Sequence, residues 1–187
     1  SSTDASCYQT CDGDATATLS STAVLPATYA WSDPQNQTTA TATGLCAGNY
    51  QVTVTDGAGC ISNASVTIAE PTQLIVQLSA SDSTICIGQS TDLTSVVAGG
   101  TAPYAGFSWT ANPADPTLNS AQQNPSVTPA SSTTYSLIAT DDNGCTSNSV
   151  SIPIVVLPPL SLSVTQPLAG PDTSICVNET ATLNVSA

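Results

Sequence analysis

The chain has 187 residues and no lysine, arginine or histidine, and its 13 aspartates and glutamates give a formal net charge of −13. It therefore lacks the basic groups that neutralise nucleic-acid phosphate or anionic lipid, and it has no histidine for a Ser-His-Asp triad or a common zinc site. The sequence predicts a protein that is not an enzyme, binds no nucleic acid and does not insert into a membrane. Its seven cysteines indicate disulfides and an oxidising, extracellular setting.

Alternating apolar and polar residues recur along the chain and predict half-buried β-strands. In chain order the clearest runs are 15–19, 50–54, 63–68, 135–139 and 150–156. Threonine, which is β-branched and suits a pleated surface, fills many of the outward positions. Since no window has a helical period, the chain is predicted to be all-β.

Two hairpin turns are predicted, at 56–59 and 142–144, because Asp, Asn and Gly favour turns that need a positive φ. A cysteine follows each turn directly, Cys60 in the first case and Cys145 in the second. The segment 54–60 recurs as 139–145, and the segment 83–93 recurs as 173–183.

Internal repeats of this length predict tandem domains, each a small β-sandwich. The first is placed at 1–71 and the second at 72–158, while 159–187 would be the incomplete start of a third. Prolines at both junctions fit short, stiff linkers. The array is expected to continue beyond Ala187.

The cysteines are interpreted as disulfide partners within each domain. Cys86 and Cys145 are the only pair in the second domain, whereas the four cysteines of the first allow three connectivities. By analogy with Cys86–Cys145, Cys7 would pair with Cys60, which leaves Cys11 for Cys46. Cys176 would pair with a residue in the remainder of the third domain.

Motifs in both predicted domains carry a resemblance to a known family. The first domain has Cys-Tyr-Gln-Thr-Cys at 7–11, Tyr-Ala-Trp at 29–31 and Leu-Cys-Ala-Gly-Asn-Tyr at 45–50, followed by Asp-Gly-Ala-Gly-Cys at 56–60. The second has Ile-Cys-Ile-Gly at 85–88, Gly-Gly-Thr-Ala-Pro-Tyr at 99–104 and Thr-Thr-Tyr at 133–135. The chain resembles the SprB repeats and the immunoglobulin-like or PKD-like modules that accompany them. One departure is that Ser-Thr-Ala at 21–23 replaces the Gly-Gly in the first domain.

This resemblance implies a fold and a role. The fold would be a tandem of small immunoglobulin-like β-sandwiches, stabilised by disulfides, with the outer pair of cysteines kept in each repeat. Such modules occur in very large adhesins that gliding Bacteroidota export by type IX secretion, so the implied location is the bacterial cell surface. The implied partners are neighbouring repeats of the same chain, the motility and secretion machinery of the envelope, and a surface polysaccharide or glycan.

The function predicted from these features is that of a stiff repeat stalk in an adhesin filament for surface attachment and gliding. One alternative is a structural subunit of an extracellular sheath, completed by a strand from another molecule. The other is an accessory binding module of a secreted enzyme.

Several residues are candidate sites, and a purely structural role is also considered for some of them. Asp12, Asp14, Asp141 and Asp142 could supply oxygen ligands to calcium, although turn chemistry also explains them and no other cofactor is expected. Two tryptophans could form a carbohydrate platform or pack in a core, and two tyrosines could form tyrosine corners: Trp31, Trp109, Tyr50 and Tyr135. The sequence Asp-Ser-Thr at 82–84 makes Ser83 a candidate for O-glycosylation, and four Asn-x-Ser/Thr matches begin at Asn36, Asn63, Asn178 and Asn184.

Overall fold

The computed structural model describes residues 1–159, and within that range every regular element is a β-strand. The prediction of an all-β chain is therefore confirmed. No helix in residues 1–159 is long and apolar enough to cross a membrane. The expected third domain and Cys176 lie outside the described residues.

The first six strands form one β-sandwich, which we call the first sandwich. They are β1 (Ser2–Thr3), β2 (Gly13–Thr16), β3 (Thr28–Trp31), β4 (Thr41–Leu45), β5 (Gly48–Thr55) and β6 (Ile61–Ile68). One sheet has the order β1-β2-β4 and the other the order β3-β5-β6, with antiparallel pairing throughout. Strand β2 is shorter than the predicted run 15–19, because β4 begins at Thr41 opposite Thr16 and offers no partner strand beyond it.

The remaining seven strands form the second sandwich. They are β7 (Ile75–Ala80), β8 (Thr84–Cys86), β9 (Thr91–Ala98), β10 (Tyr104–Asn112), β11 (Ser126–Val127), β12 (Thr133–Asp141) and β13 (Val150–Leu157). One sheet has the order β11-β9-β7 and the other the order β10-β12-β13-β8, in which β8 runs parallel to β13.

Both sandwiches have the strand order of an immunoglobulin-like fold. If the extra strand β8 is set aside, the first, second and fourth strands make one sheet and the third, fifth and sixth make the other. The third strand of each sandwich, β3 or β10, carries a tryptophan in the core, as immunoglobulin domains do. The prediction of tandem immunoglobulin-like β-sandwiches, stabilised by disulfides, is confirmed.

Each sandwich has its own hydrophobic core between its two sheets. Trp31 and Trp109 are only 5% and 3% exposed, and each indole N–H donates to a backbone carbonyl, that of Thr39 or Gln122, at 2.9 Å. Buried tryptophans in these positions pack the cores and cannot present a carbohydrate platform. In the first sandwich the Tyr50 hydroxyl donates to the carbonyl of Cys46 at 3.0 Å, which is the tyrosine corner expected there.

The second tyrosine has another partner. The side chain of Tyr135 is completely buried, and its hydroxyl donates to the carboxylate of Asp115 instead of to an upstream carbonyl. Burial and this carboxylate together raise the pKa of Tyr135 above its ordinary value. Tyr135 thus links the core of the second sandwich to the loop between β10 and β11.

Candidate functional site: the disulfide-linked junction of the two sandwiches

The two disulfides between described residues differ from the expected set. Cys11 is bonded to Cys46 within the first sandwich, as expected. Cys7 is bonded to Cys145, which lies in the second sandwich, with the two Cα atoms 5.7 Å apart. The pairings Cys7–Cys60 and Cys86–Cys145 are therefore wrong, and Cys60 and Cys86 are exposed thiols with no partner in residues 1–159.

Strand length explains why the expected intradomain pairs do not form. Cys7 lies beside the end of β6, since the N–H of nearby Ala5 donates to Ala69 at 2.9 Å, whereas Cys60 directly precedes the start of that strand. An eight-residue strand separates its ends by about 23 Å. A disulfide requires Cα atoms less than about 7 Å apart, so Cys7 and Cys60 sit at opposite ends of the sandwich.

The same holds in the second sandwich. Cys86, on β8, lies opposite Leu157 at the end of the neighbouring strand β13, while Cys145 precedes the beginning of β13 at Val150. Each sandwich therefore carries a cysteine shortly after its first strand, Cys7 or Cys86, and another at the turn between its last two strands, Cys60 or Cys145. The first lies at the end of the sandwich where the chain leaves, which we call the exit pole, and the second at the opposite end, the entry pole.

The turn at each entry pole is built around an aspartate. In the second sandwich one carboxylate oxygen of Asp141 accepts the N–H groups of Cys145 at 2.8 Å and Asn143 at 3.1 Å, and the other accepts that of Thr101 at 2.8 Å. Gly144 has φ of 82°, the positive value that the sequence predicted for this turn. The turn is thereby fixed with Cys145 at the surface next to the first sandwich.

The first sandwich repeats this turn. One oxygen of Asp56 accepts the N–H groups of Cys60 at 2.9 Å and Ala58 at 3.0 Å, and the other accepts that of Val24 at 3.2 Å. The hydrogen bonds from Cys60 and Val24 hold the pKa of Asp56 below its ordinary value. The loop at Val24 therefore takes the place of the Thr101 loop, although Ser-Thr-Ala replaces Gly-Gly before it.

Polar contacts accompany the disulfide at the junction. The side-chain amide of Asn143 donates to the carbonyl of Ser6 at 3.1 Å and to the hydroxyl of Thr101 at 3.2 Å. Ser6 is held in turn by Asp12, whose carboxylate accepts the backbone N–H of Ser6 at 2.9 Å and also its hydroxyl. These hydrogen bonds from Ser6 lower the pKa of Asp12. Asp12 thus positions the segment that contacts the second sandwich.

The linker is fixed on both sides of the junction. Ala69 accepts a hydrogen bond from Ala5 in the first sandwich, and Thr72 accepts one from Gly100 in the second at 2.8 Å. Gly99 has φ of 76°, and a Cβ built on it would lie 1.9 Å from the carbonyl oxygen of Gln73. The glycine pair lets the linker lie directly on the second sandwich. A cleft of about 400 Å³, lined by Tyr8, Leu74 and Asp141 among others, lies between the linker and the turn.

The four aspartates considered as calcium ligands are not gathered in one place. Asp12 and Asp141 serve as acceptors for backbone N–H groups in the way just described. Asp14 lies on β2, where one of its carboxylate oxygens is buried without a hydrogen-bond partner, and Asp142 is exposed in its turn. Across residues 1–159 no three carboxylate, thiol or imidazole groups come close enough to hold a metal ion.

The candidate glycosylation sites are accessible where the structure describes them. Ser83 is exposed between β7 and β8, and its carbonyl accepts the N–H of Val155 at 2.8 Å. Asn36 and Asn63 are also exposed, whereas Asn178 and Asn184 lie outside the described residues. Modification of these positions stays a prediction.

The sequence did not point to Ser6, Asn143 or Glu70 as junction residues. Glu70, in the linker, accepts the backbone N–H of Gln9 at 2.6 Å and so helps to fix the loop that follows Cys7. Asn143 was predicted only as a turn residue, because a turn pattern does not reveal what the turn faces. The one signal available was the repetition of a cysteine after each Asp-x-x-Gly turn.

The strand order, the core tryptophans and the disulfides define a tandem pair of immunoglobulin-like domains. No protein-family model matches the chain, and no curated protein matches it either.

Solved structures with a similar fold include fibronectin(III)-like modules of Clostridium thermocellum CbhA, at 15% identity and a TM-score of 0.41, covering 80% of this chain and 88% of that one. Three N-terminal domains of the bacteriophage RB49 outer capsid protein Hoc are 18% identical with a TM-score of 0.48, covering 84% and 57%. The four N-terminal immunoglobulin domains of Dscam1 isoform 1.9 are 12% identical with a TM-score of 0.34, covering 71% and 38%.

Proposed function

We propose that this chain is a stiff segment of an extracellular stalk, part of an adhesin filament that attaches a gliding bacterium to surfaces. The observation that carries the proposal is the bond between Cys7 and Cys145, which joins two sandwiches that are already connected by a short linker. A second covalent link between two domains removes most of their freedom to bend relative to each other. Stiffness of this kind is useful in a spacer that has to hold a binding tip away from the cell.

The position of the disulfide also suits a chain that carries load. When the ends of the chain are pulled, force passes from Cys7 directly to Cys145, which lies 138 positions further along the chain, so the sequence between them is bypassed. The core of the first sandwich and most of the second then lie outside the load path. In the chain-entropy model a loop of this length stabilises the folded state by about 5 kcal/mol.

Charge and composition support the extracellular part of the proposal. Two disulfides persist only in an oxidising compartment, and a net charge of −13 keeps neighbouring filaments apart. The absence of lysine and arginine leaves no cleavage site for trypsin-like proteases. A thread exposed outside the cell benefits from each of these properties.

Pulling single molecules from both ends tests the load path. The fully extended oxidised chain should be shorter than the double variant Cys7→Ala/Cys145→Ala by about 480 Å, because 138 residues of about 3.5 Å each are released in the variant. The matched control, Cys11→Ala/Cys46→Ala, should extend no further than the wild type, since its bond lies inside the bypassed segment. Equal extension of the wild type and the Cys7→Ala/Cys145→Ala variant would contradict the proposal.

The cellular role is tested by attachment under flow. Cells that carry Cys7→Ala/Cys145→Ala in the full-length protein should detach at lower shear than the wild type, while their attachment in still medium is unchanged. Detachment at the same shear would argue against a load-bearing stalk, and loss of attachment in still medium would indicate that this segment binds the surface itself.

A further inference from the structure

Cys60 and Cys86, the two thiols without a partner in residues 1–159, occupy the same structural positions as the two cysteines of the junction. We propose that Cys86 and Cys60 each form an interdomain disulfide of the same kind as Cys7–Cys145. At the exit pole, Cys86 takes the part of Cys7 and bonds the turn cysteine of another immunoglobulin-like domain. At the entry pole, Cys60 takes the part of Cys145 and bonds the cysteine that follows the first strand of another such domain. The proposal concerns covalent links between neighbouring domains and does not depend on the role of the stalk.

Cys86 matches Cys7 in its local geometry. The carbonyl of Cys7 accepts the N–H of Thr10 at 3.1 Å, and the carbonyl of Cys86 accepts that of Gln89 at 3.0 Å. Each cysteine therefore opens a four-residue turn. The third residue of each turn has a positive φ, 59° at Gln9 in the first and 84° at Gly88 in the second. Both cysteines are thus presented by the same type of turn.

Cys86 also matches Cys7 in its place on the sandwich. Cys7 lies beside the residues that follow β6, and Cys86 pairs with Leu157, the last residue of β13. In the first sandwich this pole is the one that contacts the next domain. The second sandwich therefore presents Cys86 at the end where a following domain would be reached.

Cys60 matches Cys145 equally well. In both turns the aspartate carbonyl accepts the glycine N–H, at 2.9 Å for Gly59 and 3.1 Å for Gly144, and in both the aspartate N–H donates to the cysteine carbonyl at 3.0 Å. The values of φ, 85° at Gly59 and 82° at Gly144, agree as well. Cys60 is accordingly held at the entry pole of the first sandwich as Cys145 is at that of the second.

Exposed apolar side chains lie next to both thiols. Next to Cys60 the entry pole exposes Val24, Leu25 and Ile61, whose side chains are 50%, 73% and 68% exposed. Next to Cys86 the exit pole exposes Ile87, whose side chain is 50% exposed. Ile87 follows Cys86 as Tyr8 follows Cys7, and Tyr8 lines the cleft at the junction. Exposed apolar side chains at both poles fit burial against another domain. The occupant that suits both poles is a further sandwich of the kind this chain contains.

The chemistry is ordinary thiol–disulfide exchange. One thiolate attacks an oxidant of the disulfide class and displaces one of its sulfurs, and the second thiolate then displaces the other to leave the interdomain bond. Two thiols lose two protons and two electrons, and the oxidant is reduced to its thiol form. Oxidised glutathione supplies this oxidant in the experiment below.

Two copies of this chain provide the test, since Cys86 of one copy and Cys60 of another are the two required halves. Both variants carry Cys176→Ser, which removes the third unassigned thiol. The first variant also carries Cys60→Ser, so that Cys86 is its one remaining thiol. The second carries Cys86→Ser, so that Cys60 remains, and it is labelled with ¹⁵N. After equilibration in a buffer of reduced and oxidised glutathione, intact mass measured without reduction separates the heterodimer from each homodimer.

We expect at least a tenfold excess of the heterodimer over either homodimer. A mixture near the random ratio of 1:2:1 would overturn the proposal, and so would the absence of any heterodimer under conditions in which Cys7–Cys145 forms. A matched control moves the thiol by three residues, with Ser83→Cys added to Cys60→Ser, Cys86→Ser and Cys176→Ser. Ser83 is exposed, so equal capture of Cys60 by this control would mean that exposure alone, and not the turn geometry, decides the pairing.

Discussion

At the scale of single residues, Asp56 and Asp141 each organise an entry pole by accepting backbone N–H groups from three positions. The sequence predicted the turns and the positive φ of their glycines, because Asp-x-x-Gly limits the backbone locally. It could not predict that Val24 and Thr101 donate to the same carboxylates, since those residues are distant in the chain. The conformation of each turn could therefore be predicted from the sequence, whereas the distant donors to its aspartate could not.

The buried phenol of Tyr135 gives a prediction at this scale. Its pKa is raised above the value near 10 that it has in the unfolded chain, so its contribution to stability is complete below pH 10 and is lost as the pH rises further. The free energy of unfolding of the second sandwich should therefore fall above pH 10 by up to about 1.4 kcal/mol per pH unit. Urea denaturation followed by tryptophan fluorescence between pH 8 and pH 11.5 measures this slope.

Tyr135→Phe is the matched control for the alkaline slope. It keeps the ring in the core but removes the hydroxyl that donates to Asp115, so the variant should be less stable at pH 8 by about 1.5–3 kcal/mol. Its stability should then depend less on pH above 10 than that of the wild type. An unchanged slope in the variant would mean that other groups account for the alkaline loss.

At the scale of elements, alternation placed the strands because one face of each sheet is buried and the other faces water. Strands β5, β6, β12 and β13 therefore coincide with predicted runs, and the core positions Val52, Leu137 and Ile154 follow from the same period. Strand β8 was not predicted, since three residues carry no period. Its parallel pairing with β13 depends on the tertiary fold and not on its own sequence.

The Gly-Gly pair after β9 gives a prediction at this scale. Gly99→Ala should destabilise the second sandwich by about 2–4 kcal/mol, because the new methyl group would meet the linker carbonyl of Gln73 and the residue would also be strained at its positive φ. Gly88→Ala has a similar φ of 84° but open space around the added methyl group. It should cost only the strain, about 1–2 kcal/mol. Chemical denaturation of both variants measures the difference, and equal losses would show that the linker does not press on Gly99.

At the scale of the whole molecule, the outer cysteine pairs were predicted wrongly from the sequence. Counting cysteines within each predicted domain made Cys86 and Cys145 partners, although the two lie at opposite poles of one sandwich. Sequence spacing gives no information on which pole a residue occupies, whereas strand length in three dimensions does. The inner pair Cys11–Cys46 was predicted correctly, but only as the pair left over after Cys7 had been assigned wrongly to Cys60.

The bond between the domains is the central claim, and disulfide mapping tests it most directly. The oxidised chain is digested at acid pH with pepsin and then with chymotrypsin, which can cut after Tyr8 and so separate Cys7 from Cys11; trypsin has no site in the chain. Mass spectrometry without reduction should find the peptide of Cys7 joined to that of Cys145, and the peptide of Cys11 joined to that of Cys46. Peptides that join Cys7 to Cys60 and Cys86 to Cys145 would contradict the account.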